Sequence, residues 1–278
     1  MSHHVKESAE GLEVLKADCD QCFGLCCVAL PFAKSADFAL NKDSGTPCPN
    51  LQHDFQCGIH ENLREKGFKG CTVYDCFGAG QKVSQLTYNG LDWRKDKGRA
   101  QEMFDVFPVM QQLHEMLYYL KEAMNREEAQ LIKADLQGLY ETIESLTKLE
   151  PKALLFLDVR VHRAQVNDLL LRTSELVRKN QNRSKKTSSS FLGAKLRKAD
   201  LRGSDFRGML LIAADLREAD LRRCDWIGAD LRDTDLSGAD IRGSIFLTQI
   251  QINAAKGSRK TKLPPHLKHP KHWVSSKI

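Results

Sequence analysis

A period of five residues running from Phe191 to Leu247 limits what this chain can fold into more than any other feature. Leu196, Leu201, Phe206, Leu211, Leu216, Leu221, Trp226, Leu231, Leu236, Ile241 and Phe246 form one unbroken apolar column. Two residues before each stands Ala194, Ala199, Ser204, Met209, Ala214, Ala219, Cys224, Ala229, Thr234, Ala239 or Ser244, mostly small. An acid lies between them in eight of eleven repeats, and Arg fills seven of the eleven positions after the large residue. Neither a helix of period 3.6 nor a flat strand of period 2 keeps such a column on one face. A chain that turns a corner every five residues does, with the small and large residues both pointing inward as in a strand.

A second period of twenty residues shows how the corners close. Phe206, Trp226 and Phe246 fall in one stack, Leu196, Leu216 and Leu236 in another, and Leu201, Leu221 and Ile241 in a third. Four pentapeptides to a coil give a four-sided solenoid, with coils at roughly the ~4.8 Å spacing of paired strands. The stretch resembles the pentapeptide-repeat family, in units such as Ala199-Asp200-Leu201, Ala219-Asp220-Leu221 and Ala229-Asp230-Leu231, with Ile at the large position of Ala239-Asp240-Ile241. The resemblance implies a right-handed quadrilateral β-helix with Phe206, Trp226 and Phe246 as its aromatic core. The repeat Met209-Leu210-Leu211-Ile212 departs from the pattern in having apolar residues at both outward positions. That face is expected to be covered by another part of the chain.

The second constraint is the placement of cysteine. Eight of the nine cysteines lie between Cys19 and Cys76, as Cys19, Cys22, Cys26, Cys27, Cys48, Cys57, Cys71 and Cys76. No signal-peptide core or bilayer-length apolar run is present, so the chain reads as cytoplasmic, where clustered thiols bind metal more often than they form disulfides. Thiolates two or three residues apart can converge on one soft cation, because a short turn, eased here by Gly24, points their sulfurs to one side. His60, three residues after Cys57, has ligand-like spacing as well. The plain alternative is that some of these thiols are small buried hydrophobes, and Cys224, alone in the repeats, reads that way. Little other core material is evident in this segment, which suggests that a metal replaces missing hydrophobic stabilisation.

The segment resembles the family of zinc- or iron-chelating domains named for a CxxCxxCC motif, with Cys57-Gly58-Ile59-His60 matching its later C-x-(I/V)-(Y/H) context. Three residues, not two, separate Cys22 from Cys26. Eight thiols suit two four-sulfur sites or one cluster with spare residues, and the cofactor is zinc or iron, including an iron–sulfur cluster.

The remainder falls into place around these two modules. Residues 1–18 read as a polar arm and 19–97 as the metal-binding domain. Residues 98–180 show helical periodicity in three stretches: Val106 to Met124, Ile132 to Leu146, and a third opened by Pro151 and carrying Leu155, Val159, Val166, Leu169 and Leu176. These suggest an up-down-up bundle or helical hairpins. Pro108 is expected near a helix start or at a kink, and His162 reads as a hydrogen-bonded core histidine. Residues 181–190 read as a flexible linker and 191–249 as the β-helix. In 250–278 a capping turn is expected, then a basic tail that is solvated with Trp273 docked on the body, or else touches an anionic polymer.

The class is thus multidomain α+β. The net charge of +6 resides in the linker and tail, and the repeats balance at ten basic and ten acidic residues. No enzyme signature is present. The sequence reads as a non-enzymatic metal-binding modular protein whose β-helix is a surface for an unidentified protein partner. No membrane contact is expected, and nucleic-acid contact at most a weak one through the tail. Two alternatives stand beside this: an iron–sulfur or thiol redox protein, and a DNA-mimicking topoisomerase-protection protein. The second is disfavoured by the neutral, Arg-rich repeats.

Overall fold

A computed structural model describes residues 11–179 and 191–274. The linker expected over 181–190 lies outside these residues. The chain divides into two compact units that do not follow its linear order. One is Gly11–Lys121 with Ala134–Asp168; the other, among the described residues, is Glu122–Lys133 with 169–179 and 191–274. The cysteine-rich segment 19–97 and the beginning of the helical segment therefore share a unit.

In the repeat unit, parallel bridges join residues twenty apart, from Lys195 with Asp215 through Asp225 with Ile245. Each coil has four sides of five residues. Only isolated bridging residues pair, so among the described residues the coil is built without extended strands. The reason is that each five-residue side gives two residues to a corner. A four-residue turn closes there, as where the Ala199 N–H donates to the Leu196 carbonyl at 3.1 Å. Its third residue has positive φ at every corner from Gly193 to Gly243. That conformation is the mark of a type II turn and favours Gly; Lys198, Ala213, Glu218, Arg223 and Asp233 adopt it regardless.

The small and large positions fill the interior. Phe206 stacks on Trp226 with ring centroids 4.5 Å apart, and both are buried. Cys224 is buried too, with its Sγ 3.1 Å from the Leu201 carbonyl. The column changes at its last position. Phe246 is buried but takes a positive φ of 57°, and Leu247 rather than Phe246 belongs to the core cluster that holds Phe206 and Trp226.

Past that point the chain caps its own coil. Helix Gln249–Ala254 opens with a capping box between Thr248 and Gln251. Gln251 Nε2 donates to the Trp226 and Ala229 carbonyls at 2.7 and 3.0 Å. Lys256 and Lys262 then bridge to Asp235 and Asp240, so the coil continues through a segment with no pentapeptide signature. Trp273 is 2% exposed and its indole N–H donates to the Ala255 carbonyl. The tail is packed along the coil as far as Trp273, as the buried Thr261 and Leu267 also show.

The expectation that the Leu210 face is covered fails: Leu210 is 46% exposed. The residues buried at this register are instead Asp225 and Ile245. There Arg178, at the end of helix Val159–Arg178, donates to the Gly203 carbonyl and pairs with Asp205 at 3.1 Å. Asp225 is fully buried and faces Arg207 at 3.1 Å, and burial pushes its carboxyl up.

Helix Ala100–Met124, which belongs to the other unit as far as Lys121, carries Pro108 in its interior. Helix Lys133–Leu146 follows. The third helical stretch is split into Pro151–Leu155 and Val159–Arg178, which leaves Leu155 and Phe156 exposed. His162 is only half-buried, and its Nδ1 has no hydrogen-bond partner. The hydrogen-bonded core histidine is His114, whose Nδ1–H donates to the Phe77 carbonyl at 2.8 Å.

The cysteine-rich segment has more core than its composition suggested. Leu25, Val28, Ala79 and Val83 are fully buried. Phe23, Phe55, Trp93 and Phe104 form a chain of ring contacts with centroids 5.3 to 5.9 Å apart. Among the described residues, no helix is long and apolar enough to cross a membrane.

Candidate metal centre

The eight clustered cysteines are carried by short turns, each fixed by backbone hydrogen bonds. Asp18 caps the turn Cys19–Gln21 by accepting from the Asp20 N–H, and the Cys22 N–H closes it onto the Cys19 carbonyl. Gly24, at φ 66°, reverses the chain into helix Leu25–Ala29, which holds Cys26 and Cys27. Consecutive residues on a helix point about 100° apart, so these neighbours serve different surroundings.

Cys27 faces the later cysteines. Its carbonyl accepts from the Cys48 N–H at 2.9 Å, and an antiparallel bridge from Leu51 to Cys57 brings Cys57 back beside that loop. Cys71 lies in the turn Lys69–Val73. Cys26 faces Cys22 and Cys76. Cys76 precedes Gly78 and accepts from the Ala79 N–H, and the segment from Ala79 is tied back to the first turn. Gln81 pairs with Asp18 and Lys16, and the Ser84 hydroxyl accepts from the Phe23 N–H. A Cβ placed on Gly80 would come 2.7 Å from Cys22 Sγ and 3.6 Å from Cys76 Sγ.

Electrostatics divides the thiols along the same line. Cys19 and Cys71 are exposed residues; partial burial still pushes Cys71 up to about 12, and Cys27, Cys48 and Cys57 add to the rise. Cys57 is raised by burial and then by Cys27 and Cys48. In the other set, burial raises Cys22, Cys76 and Cys19, with Cys76 acting on Cys22 and Cys19 on Cys76. These influences group Cys19, Cys22, Cys26 and Cys76 on one side and Cys27, Cys48, Cys57 and Cys71 on the other, without any three side chains of either group meeting at one point. They abut at Cys26 and Cys27, whose sulfurs are 3.9 Å apart. The hydrogen bond between these two raises Cys26 and lowers Cys27. The quartets are not sealed from one another, since Cys27 also acts on Cys19.

Two further residues complete the surroundings. Lys42 is 4% exposed, and its ammonium donates to the Val28, Asp43 and Thr46 carbonyls at 3.1, 3.2 and 3.1 Å. The Tyr74 hydroxyl is buried with no hydrogen-bond partner, and burial together with Cys76, Cys26 and Cys22 holds it far above the usual phenol range. Neither residue stands out in the sequence: Lys42 has no periodic context, and the only signal for Tyr74 is its position between Cys71 and Cys76. His60 is exposed, as is His53, and only the His60 backbone touches the site, donating to the Cys57 carbonyl. Among the described residues, no three Cys, His, Asp or Glu side chains already converge on a single metal position.

With this geometry in hand, comparison with known proteins defines the class. The model for pentapeptide repeats matches residues 187–208 and 210–246 as eight copies, so this is a pentapeptide-repeat-containing chain. It is 61% identical over 264 residues to "Uncharacterized protein YybG" of Bacillus subtilis (strain 168), spanning 93% of this chain and 95% of that protein. The chain belongs to the family of that protein.

Proposed function

We propose that this is a non-enzymatic metal-binding protein of the cytoplasm. Its eight N-terminal cysteines hold zinc or iron, and its short β-helix is a surface for a protein partner. The observation that carries the reading is the sorting of eight thiols into two sets of four, the number that completes a structural tetrahedral site or holds an iron–sulfur cluster. The donor chemistry fits a soft cation. Burial and mutual repulsion hold most of these thiols protonated as they stand, and a divalent cation relieves both by drawing the protons off. Closing either set requires side-chain rotation, because the sulfurs do not yet share a point. His60, exposed, is a dispensable substitute.

The redox alternative draws on one contact, the 3.9 Å approach of Cys26 and Cys27 with Cys27 lowered. A coloured protein that cycles on reduction would favour it; zinc is colourless and redox-silent. The DNA-mimic alternative is weakened by the solenoid surface. Asp200, Asp215, Asp220, Asp230 and Asp240 each hold the Arg two residues onward at 2.5 to 2.7 Å, so the acids are neutralised in place.

The test is metal analysis and absorption spectroscopy of protein purified without oxygen. One or two equivalents of zinc or iron are expected. Chelation is expected to loosen the cysteine loops while the β-helix keeps its protease resistance. Less than about a tenth of an equivalent of any transition metal, with residues 19–80 still protected, overturns the reading.

A further inference from the structure

The two quartets differ in the charge around them. Lys42 reaches the second quartet from behind: its ammonium bridges the Val28 and Thr46 carbonyls, next to Cys27 and two residues before Cys48, and these cysteines are themselves joined by a backbone hydrogen bond. None of its three hydrogen bonds goes to a carboxylate. A buried charge without a counter-ion is costly. Burial pushes this ammonium down, and Cys48, Cys27, Cys26 and Asp43 only partly offset that. The first quartet has the opposite surroundings. Asp18 and Asp20 flank Cys19, Asp75 flanks Cys76, and the buried Tyr74 hydroxyl, two residues before Cys76, has no hydrogen-bond partner.

Loading a four-thiol site with a divalent cation releases four protons and leaves a net charge of −2. A neighbouring cation favours that change and neighbouring carboxylates oppose it. Resting on the metal reading above, we propose that the quartets are unequal sites. Cys27, Cys48, Cys57 and Cys71 form the tight one, with Lys42 as its buried counter-charge, and Cys19, Cys22, Cys26 and Cys76 form the labile one. Lys42 is a positioning and charge-balancing residue, not a ligand. In the labile set the Tyr74 hydroxyl, which has no other acceptor, donates to a thiolate once the site is loaded.

The experiment uses the full chain loaded anaerobically with Zn²⁺ or with Co²⁺ as a visible probe, followed by titration with a chromophoric chelator. Metal is expected to leave in two steps. Cys22→Ser and Cys76→Ser should abolish the early step, and Cys48→Ser and Cys57→Ser the late one. Lys42→Met should weaken the late step by roughly ten- to a hundredfold, the usual cost of losing an outer partner, and leave the early step unmoved. Lys42→Arg, which keeps the charge, should restore most of the loss, separating charge from folding. Tyr74→Phe should shift the early step alone. Last release from the Cys22 and Cys76 site overturns the proposal even if Lys42→Met fails to fold. So does a late step that Lys42→Met leaves unchanged. A wild-type chain that takes up no metal overturns the parent reading; two sites of equal strength overturn this inference and spare that reading.

Discussion

Truncating Trp226 tests the solenoid interior most directly. The indole is fully buried and stacks on Phe206 at 4.5 Å. Trp226→Ala removes the largest wholly buried side chain of the unit and leaves a cavity that the fixed coils above and below cannot close. Such truncations cost about 3–5 kcal/mol. The structure adds an opposing term. The buried indole N–H has no acceptor, a defect worth about 1–3 kcal/mol. Trp226→Phe removes that defect while keeping a ring against Phe206, so it should cost no more than about 2 kcal/mol. Native-state hydrogen exchange of the coil amides, followed against urea, reads the unit separately from the rest of the chain. A Trp226→Ala loss below about 1 kcal/mol, or a Trp226→Phe loss equal to it, refutes the argued packing.

Three other predictions follow from single contacts. Gly80→Ala, whose new Cβ crowds Cys22 Sγ, should abolish metal uptake at the Cys22 and Cys76 site and preserve the other, as counted by metal analysis. His114 is held down to about 4, chiefly by burial, against an ordinary 6.5. It is neutral when folded and takes up a proton when unfolded, so its contribution is complete above about pH 6.5 and is lost as pH falls toward 4. At most about 3 kcal/mol is involved, and urea midpoints across pH 7 to 4 should flatten in His114→Gln. Because the solenoid acids are neutralised by their own arginines, stoichiometric protein should not protect DNA gyrase from inhibition; protection in a supercoiling assay would reverse that conclusion.

The coil was legible because its rule is local. Five residues make a side and a corner, so the inward column and the twenty-residue recurrence stand in the sequence before any fold is known. Gly at 193, 203, 208, 228, 238 and 243 marks the same corners, a signal the apolar column made unnecessary. The coil's end was not legible, because Lys256 and Lys262 pair with Asp235 and Asp240 across 21 and 22 residues. The helix at Gln249–Ala254 alters the register, and no fixed period survives that change. The cysteine segment shows the same boundary more sharply. Spacing named the eight thiols and left two sets of four or one cluster with spare residues open; the proposed membership of the sets draws on the tertiary structure. Cys26 and Cys27 are adjacent in sequence and belong to different sets because a helix turns about 100° between them. Cys76 joins Cys22 across more than fifty residues because Gln81 and Ser84 tie the later segment to the first turn. Lys42 is proposed to act on the site through carbonyls, which carry no sequence signature at all. Sequence determines what repeats along the chain; which residues meet when the intervening chain has no period is settled only by packing.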